Sequence, residues 1–364
     1  MKEKITKLDV DKVLALYLST LRQMGEHIPK WLKDVNFVEF KELTGACATA
    51  SAESNTIYYR PDASAHAIFH ELEHLRSRHK ESVVGFDDLF ERNVDFFFIG
   101  YHLGGFEGMF IEEGLNELSA RKLYLKAIAG NETEKRKAFD EYKENKYYHL
   151  EMFTCISLAY LIGVNVDDLR RMKFSGDMTG SNFLREKVNA LAGDSTYWRR
   201  MQEYLDGFEI AKRVYVDEKS KNEYKRESLT GYYGMAYNLL FTALERNKIT
   251  IDEFRKRMQL FENYYAKSAK YVDGLFESVK KTKGLQLLRF KDVLVKNRVY
   301  SFAQSNKTKT YRTGVSSVRV NLPQVIPVAS KSVAAKLFSK LVRIKEDENV
   351  EYASTFDDIK YGLM

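Results

Sequence analysis

The stretch that decides the fold is TIYYRPDASAHAIFHELEHLRSRHK, residues 56–80, in which a strand pattern gives way to a helix pattern at Pro61. Its first four residues are β-branched or aromatic, and Pro61 ends the strand because proline cannot donate to a strand ladder. Beyond the proline, Asp62 or Ser64 can cap a helix whose apolar residues recur at helical spacing. We therefore predict a strand followed directly by an amphipathic helix.

The helix carries the motif His70-Glu71-Leu72-Glu73-His74. Side chains four positions apart lie on one helix face, about 5–6 Å from each other, so the two imidazoles can bind one Zn²⁺. Glu71 flanks the metal without binding it, and we expect it to take a proton from the metal-bound water and pass it to the leaving amine. The same ligands also accept Mn²⁺ or Co²⁺.

A zinc site with an open position needs a third protein ligand. His79 lies nine residues after His70, which places it on the opposite face of a continuous helix. The metzincin pattern requires a glycine and a histidine where this chain has Ser77 and Lys80. Neither source of a third histidine therefore fits.

A better source is the segment IEEGLNE, residues 111–117, on a second predicted helix. If this helix crosses the first, Glu113 can reach the metal, and Glu112 and Glu117 remain as less favoured ligands. Glu117 lies one turn after Glu113 and can hold a ligating imidazole by its other N–H. Glu112 and Glu117 can equally be ordinary solvated charges on the helix surface.

Together, HELEH (70–74) and EEGLNE (112–117) resemble the two motifs of the gluzincins, the metallopeptidase clan of the thermolysin-like enzymes and neutral aminopeptidases. In that clan the ligand glutamate precedes a small residue, often glycine, and then an aromatic or aliphatic residue, as in Glu113-Gly114-Leu115 here. The resemblance covers roughly residues 55–125. The spacing of 39 positions from His74 to Glu113 exceeds the usual one, so residues 85–108 are expected to be an insertion.

The resemblance implies a small twisted sheet with an active-site helix beneath it and a helical domain that closes a cleft. An edge strand would bind an extended peptide by backbone pairing, and TIYYRP is the candidate for that strand. A tyrosine or histidine from the helical domain would stabilise the oxyanion. The chain offers several candidates, of which His149 is preferred because histidines are scarce: Tyr147, Tyr148, His149, Tyr232 and Tyr233.

These patterns predict a predominantly helical α+β protein with a zincin-like core. We expect an N-terminal helical segment over residues 1–36, a catalytic core over 37–130 and a helical domain closing the cleft over 131–284. Residues 285–364 are expected to form a basic β/α segment with an acidic tail.

Local patterns give more detailed expectations. A helix is predicted within residues 9–33, and the glycine-rich residues 85–108 are expected to form a loop or short helices. The helical domain should contain three helical segments, broken near residues 175–181 and 228–234: 134–164, 181–219 and 232–280. A capping box at Thr250 and Glu253 lies within the last of them.

Charge is distributed unevenly along the chain, whose net charge is +7. Residues 281–345 contain fifteen Lys or Arg and one acid, and the tail 346–364 contains six acids and one lysine. The basic segment can bind nucleic acid or another acidic partner through the phosphates or carboxylates. The simpler interpretation, which we favour, is a solvated lysine-rich surface partly neutralised by the acidic tail.

Cysteine content and hydropathy indicate the compartment. The two cysteines, Cys47 and Cys155, are interpreted as buried thiols, which suits a reducing environment. The N-terminus carries Asp9 and Asp11 before its apolar part and is interpreted as an amphipathic helix rather than a signal peptide. No apolar run approaches membrane-spanning length, so we expect no membrane association and a cytoplasmic location.

Two further histidines have local interpretations. His66 lies four residues before His70 and is expected to line the cleft or cap the helix start, although a second chelating pair is conceivable. His102 is interpreted as a histidine of the glycine-rich loop.

The leading functional hypothesis is a zinc-dependent peptidase that hydrolyses peptide bonds of a peptide or protein substrate. One alternative is a nucleic-acid-associated protein in which the basic segment binds and the peptidase-like domain is inactive or only carries a metal. Another is a metal-stabilised interaction protein without turnover.

Overall fold

The computed structural model describes residues 8–43, 46–87, 90–99, 107–144, 148–174, 179–214 and 217–279, and the basic segment lies outside these ranges. Helices dominate the described chain and accompany a three-stranded sheet and a two-stranded hairpin, which confirms the prediction of a predominantly helical α+β fold.

The described residues fall into two compact units. The first unit contains those within 8–155 and 165–183, and the second contains 156–164 and those within 184–279. The division of the chain into four domains remains a prediction.

The sheet of the first unit consists of β1 (Asn36–Glu39), β2 (Ala48–Ser51) and β3 (Thr56–Tyr59). Strand β3 lies in the centre, parallel to β1 and antiparallel to β2, in the order β1-β3-β2. The expectation that TIYYRP supplies an edge strand is therefore wrong, because both sides of its ladder are already paired. The local composition predicted the strand, but strand order depends on pairing between distant segments.

The N-terminal helix is shorter than the predicted range of residues 9–33. Helix α1 (Val10–Gln23) begins at Asp9, whose side chain accepts a hydrogen bond from the amide of Lys12. Beyond the helix end, Gly25 adopts φ +65°, a conformation that glycine adopts without steric cost. A separate 3₁₀ helix follows at Lys30–Asp34.

Helix α2 (Ala65–Arg76) begins at Ser64, whose hydroxyl accepts from the amide of Ala67, so Ser64 rather than Asp62 is the cap. Apolar residues of α2, including Ile68 and Phe69, enter one core. The buried members contributed to this core by the other elements are Val13, Tyr17, Leu21, Leu32, Ala48, Ile57, Tyr59, Ala120 and Leu123. This packing fixes the polar face of α2 against α3.

After α2 the chain forms an antiparallel hairpin of β4 (Arg78–Asp87) and β5 (Phe90–Ile99). Its register runs from Arg78 opposite Ile99 to Asp87 opposite Phe90. The prediction of a loop or short helices over residues 85–108 is thus wrong for the part up to 99. The loop prediction was based on the glycines of this segment. The β-propensity of FERNVDFFFI determines the conformation instead.

Four helices complete the first unit: α3 (Met109–Ala127), α4 (Glu132–Glu144), the start of α5 (His149–Ile162), and α6 (Val166–Lys173). Helix α3 is buried on almost every side, with polar as well as apolar residues inside. Such a helix shows no amphipathic stripe, and its buried polar groups need partners.

The second unit is built from α7 (Thr179–Ala192), which starts in the first unit, α8 (Tyr197–Val214), α9 (Glu218–Glu245) and α10 (Ile251–Ala269). Thr250 caps α10 by accepting from the amide of Glu253, as predicted. The predicted helix break near residues 228–234 is wrong: α9 continues through these residues. Gly231 lies in that helix where a Cβ would overlap the Tyr204 ring, so this glycine permits helix packing and does not end the helix.

Among the described residues, no single helix has both the length and the apolar composition needed to cross a bilayer. One bent pair, His149–Ile162 with Val166–Lys173, meets those two criteria when its helices are taken together.

Candidate metal centre

Helix α2 presents two buried imidazoles on one face. His70 and His74 are 4% and 8% exposed, and their ring centroids lie 5.0 Å apart. The one-turn spacing that the sequence predicted therefore places both rings on the side of α2 that faces α3.

Helix α3 brings Glu113 between these rings. Its Oε2 lies 3.2 Å from His70 Nε2 and 3.4 Å from His74 Nε2. Tetrahedral zinc with bonds of about 2.0–2.1 Å keeps its ligand atoms about 3.3 Å apart. One candidate ligand atom from each of the three residues can be chosen so that all lie within 4.8 Å of one another, and this donor set fits a single divalent metal ion.

The other nitrogen of each ring meets a carboxylate. His70 Nδ1 lies 3.0 Å from Glu117 Oε2, and His74 Nδ1 lies 3.0 Å from Glu112 Oε1. An ionised carboxylate can only accept, so both Nδ1–H groups donate, and the Nε2 atom of each ring faces Glu113. Metal-binding histidines usually have this arrangement, in which the outer partner fixes the tautomer and the ring orientation.

These positions answer the questions left open about the acidic residues. Glu112 and Glu117 are 2% and 3% exposed, so neither is a solvated surface charge. Glu117 holds an imidazole as expected, and Arg121 in turn donates to Glu117 at 2.5 Å. Glu112 has the same task on the second imidazole, which the sequence did not indicate.

For the carboxyl groups of the cluster, interactions with nearby positive groups lower the pKa more than burial raises it. Burial works to raise the pKa of Glu112, but the charge of Lys173 and the His74 ring hold that pKa at about 2. Burial opposes ionisation of Glu113 too, yet the facing imidazoles lower its pKa well below the usual value. These side chains are therefore anionic at neutral pH.

The imidazoles respond in the opposite direction. Burial works to lower the pKa of His70, but hydrogen bonds to Glu113 and Glu117 raise it to about 10. The pKa of His74 is also raised, because the charge of Glu113 overcomes the desolvation of its ring. The carboxylates thus create a point that attracts positive charge, which protons or a metal ion can supply.

Glu71 lies beside this cluster and is only partly buried. Burial and then the negative charge of Glu113 act to raise its pKa, although the imidazoles and a hydrogen bond from the Ala50 backbone oppose the rise. A glutamate with a raised pKa is better matched to proton transfer near neutral pH than an ordinary one.

A cavity of about 500 Å³ opens next to the cluster. Its lining includes Glu71 and His70, Cys47 and Ala48 around the start of β2, and Tyr148. The cavity is large enough to admit a substrate side chain, and it lies entirely within the first unit.

The oxyanion candidates are placed differently from one another. Tyr148 lines the cavity and stacks on His70, with ring centroids 4.8 Å apart and planes at 13°. The preferred candidate His149 is 1% exposed, contacts Phe153 and does not line the cavity. Geometry therefore favours Tyr148 over His149.

The remaining candidates lie elsewhere in the chain. Tyr147 lies outside the described residues, and Tyr232 and Tyr233 are buried in the second unit.

The other histidines also have definite places. His66 lines the cavity, as predicted, and its ring meets those of Tyr142 and Tyr124 edge to face. Burial lowers the pKa of His66 to about 4 despite Glu117 nearby. His79 belongs to β4 because α2 ends at Arg76, and His102 lies outside the described residues.

The glycine of the Glu113-Gly114 motif has a packing role. A Cβ at Gly114 would lie 2.5 Å from the Glu151 carbonyl oxygen and 2.6 Å from Cys155 Sγ. The absence of a side chain thus lets α5 approach the backbone of α3 directly beside the proposed ligand.

Sequence reasoning missed two residues of the cluster, Asn116 and Lys173. Asn116 Nδ2 donates to the His70 carbonyl oxygen at 2.7 Å, and Lys173 Nζ contacts Asn116 and Glu112. Asn116 lies within the motif EEGLNE, so its position in the sequence could have indicated a place at the site. Nothing near Lys173 in the sequence connects that residue to the site.

No protein-family model, curated protein or solved structure matches the chain.

Proposed function

We propose that this protein is a zinc-dependent peptidase of the gluzincin type that hydrolyses peptide bonds with Glu71 as the general base. The observation that supports the proposal is the convergence of His70 Nε2, His74 Nε2 and Glu113 Oε2, with each Nδ1 held by a carboxylate. Two histidines without a shared ligand would need neither converging Nε2 atoms nor a carboxylate partner for each Nδ1.

A bound zinc ion would act as a Lewis acid on a water molecule and on the scissile carbonyl group. His70, His74 and Glu113 would hold it. Glu71 would accept a proton from the attacking water and deliver it to the leaving amine, a role that suits its raised pKa and its place at the cavity. We assign stabilisation of the oxyanion to Tyr148 in place of His149.

We further propose that an extended substrate pairs with β2 and not with TIYYRP. In the described part of the chain, β2 pairs only with β3, and the amide of Ala50 points away from that partner towards the Glu71 carboxylate. The outer edge of β2 therefore faces the proposed base. An added strand there would bring a peptide bond to the side of the metal centre.

The test compares Glu71→Gln with the exposed control Glu132→Gln, using zinc-loaded protein and a pool of random-sequence peptides analysed by mass spectrometry. Wild type and Glu132→Gln should cleave at equal rates, whereas Glu71→Gln should keep its zinc and lose at least about 100-fold in rate. Undiminished cleavage by Glu71→Gln would contradict the proposal. Zinc binding without cleavage by any form would favour the metal-stabilised interaction protein.

The charge of residues 281–345 supports a second candidate, binding of nucleic acid or another acidic partner by that segment. If the segment binds phosphates, affinity for single- or double-stranded DNA should fall steeply with salt and depend on residues 281–364. Binding that is insensitive to salt, or absent, would remove this candidate.

A cytoplasmic location remains part of the proposal. Both Cys47 and Cys155 are free thiols, as expected in a reducing compartment.

A further inference from the structure

Helix α6 has a buried charged face. Asp167, Arg170 and Lys173 follow one another at intervals of three residues and are 6%, 1% and 2% exposed. Residues at this spacing share one side of a helix. A buried charged side is costly, so the partners of these groups need to be identified.

Arg170 pairs with Glu26 and Asp167, and each of the three groups also has a partner on α3, where the partners follow in reverse order. Asp167 pairs with Lys122 at 2.9 Å, and Arg170 donates to Ser119 at 3.3 Å. Lys173 reaches further towards the start of α3, where it contacts Asn116 and Glu112. The charged face of α6 thus runs antiparallel along α3 and ends at the metal centre.

Lys173 is the last member of this series. Its side chain is fully buried, and its Nζ lies 2.5 Å from Glu112 Oε1 and also donates to Asn116 Oδ1. Each of these two partners is hydrogen-bonded to one of the two histidines. Glu112 accepts from His74 Nδ1 at 3.0 Å, and Asn116 Nδ2 donates to the carbonyl oxygen of His70.

One ammonium group therefore orients two side chains. Donation to Asn116 Oδ1 settles which end of the amide faces His70. Donation to Glu112 supplies the counter-charge of a buried carboxylate and aims that carboxylate at the His74 ring. Buried ion pairs can often be replaced by apolar residues without loss of stability, so stability alone does not account for a lysine here.

We propose that Lys173 is a positioning residue that fixes the His74 ring for metal binding by acting through Glu112. The inference rests on the metal site of the proposed function but not on peptide cleavage. It assigns to α6 a role in holding the metal, although α6 provides no ligand itself. Loss of an outer partner of a metal ligand typically weakens binding 10–100-fold.

The experiment measures the rate at which zinc-loaded protein gives up zinc to a chromogenic chelator. Lys173→Met should release zinc about 10–100-fold faster than wild type. Lys122→Met is the matched control, because it removes a lysine from the other end of the same helix pair without touching Glu112. Its rate should stay within about twofold of wild type, since its partner Asp167 has no contact with the ligands. Thermal unfolding of both variants shows whether the fold is kept.

A double-mutant cycle separates a positioning role from a general structural one. If Lys173 acts through Glu112, adding Lys173→Met to Glu112→Gln should cause no further acceleration of zinc release. Independent, multiplying effects of the two substitutions would overturn the proposal, as would an unchanged rate in Lys173→Met. The predicted zinc-release rates in all variants, combined with absence of peptide cleavage, would refute only the peptidase function.

A second measurement on the wild-type chain keeps the test decisive if Lys173→Met does not fold. A buried, hydrogen-bonded lysine ammonium group exchanges slowly and gives its own proton–nitrogen NMR signal. That signal should shift when zinc is added to wild type, and the shift should vanish in Glu112→Gln. A signal that zinc does not move would overturn the proposal.

Discussion

At the scale of single residues, the centre depends on pairs of groups that fix one another. Glu117 and Glu112 each take one Nδ1–H, so the two Nε2 atoms are left facing Glu113. Arg121 and Lys173 then fix these carboxylates. Such a layered arrangement would hold the proposed ligands in place before a metal binds, which would reduce the free energy needed to order them.

Tyr148→Phe tests the residue assigned to the oxyanion. Removing a donor of this kind typically costs about 100–1,000-fold in kcat, and KM should change little because the ring still lines the cavity. Steady-state kinetics on the best peptide found in the pool checks this, with the exposed Tyr204→Phe as control. A kcat equal to that of wild type would exclude Tyr148 from this role.

His66 should make the metal-free protein sensitive to acid. Its pKa is about 4 in the folded chain and 6.5 in the reference state, so only the unfolded chain takes up its proton as pH falls from about 6.5 to 4. This group should therefore lower the free energy of unfolding by up to about 3 kcal/mol across that window. Urea unfolding at pH 7 and pH 4.5 should show a smaller loss for His66→Gln than for wild type, and equal losses would contradict the account.

At the scale of elements, the site is a product of two helix contacts. Helix α3 meets α2 through the cluster and meets α5 at Gly114, where the backbone of Glu151 occupies the place of a side chain. Because the proposed ligand Glu113 adjoins that contact, a change in the distance between α3 and α5 would also move its carboxylate.

Gly114→Ala should therefore destabilise the protein by about 1–3 kcal/mol, since the backbone carbonyl of Glu151 cannot move aside cheaply. Gly130→Ala is the matched control, because a Cβ there meets nothing within 4 Å. That control should stay within about 0.5 kcal/mol of wild type. Urea unfolding measures the stability of both variants. Equal stabilities would show that the contact between Gly114 and the Glu151 carbonyl group accommodates an added methyl group.

Local sequence predicted elements better than it predicted their arrangement. The helix of residues 65–76, its serine cap and the strand before it follow from periodicity and turn chemistry. The central position of β3 does not, because strand order is decided by pairing with residues 36–39 and 48–51. Continuity of α9 through Gly231 likewise depends on its packing against Tyr204, which no local pattern reveals.

The same distinction applies to the candidate site. Spacing within one helix suggests the pair His70 and His74 and the pair Glu113 and Glu117, and the resemblance to the gluzincin motifs connects the two pairs. Lys173 could not be predicted from the sequence, because its contact with Glu112 arises only from the antiparallel packing of α6 on α3.

At the scale of the whole molecule, metal binding and folding should be linked. The proposed ligands come from two helices separated by the hairpin, so the unfolded chain lacks the assembled site. An ion that binds only the folded chain stabilises it by about 2.7 kcal/mol at a free concentration of 100 times Kd. Chelation should therefore lower Tm of wild type and leave that of Glu113→Ala unchanged, and a wild-type Tm that does not respond to chelation would contradict this linkage.

The most direct test of the metal centre is the zinc content per chain, determined by elemental analysis of the wild type and of Glu113→Ala after dialysis. The arrangement of His70, His74 and Glu113 predicts one zinc ion per wild-type chain and a large loss in the variant. Wild-type protein without bound metal, or a variant that retains as much zinc as wild type, would contradict it.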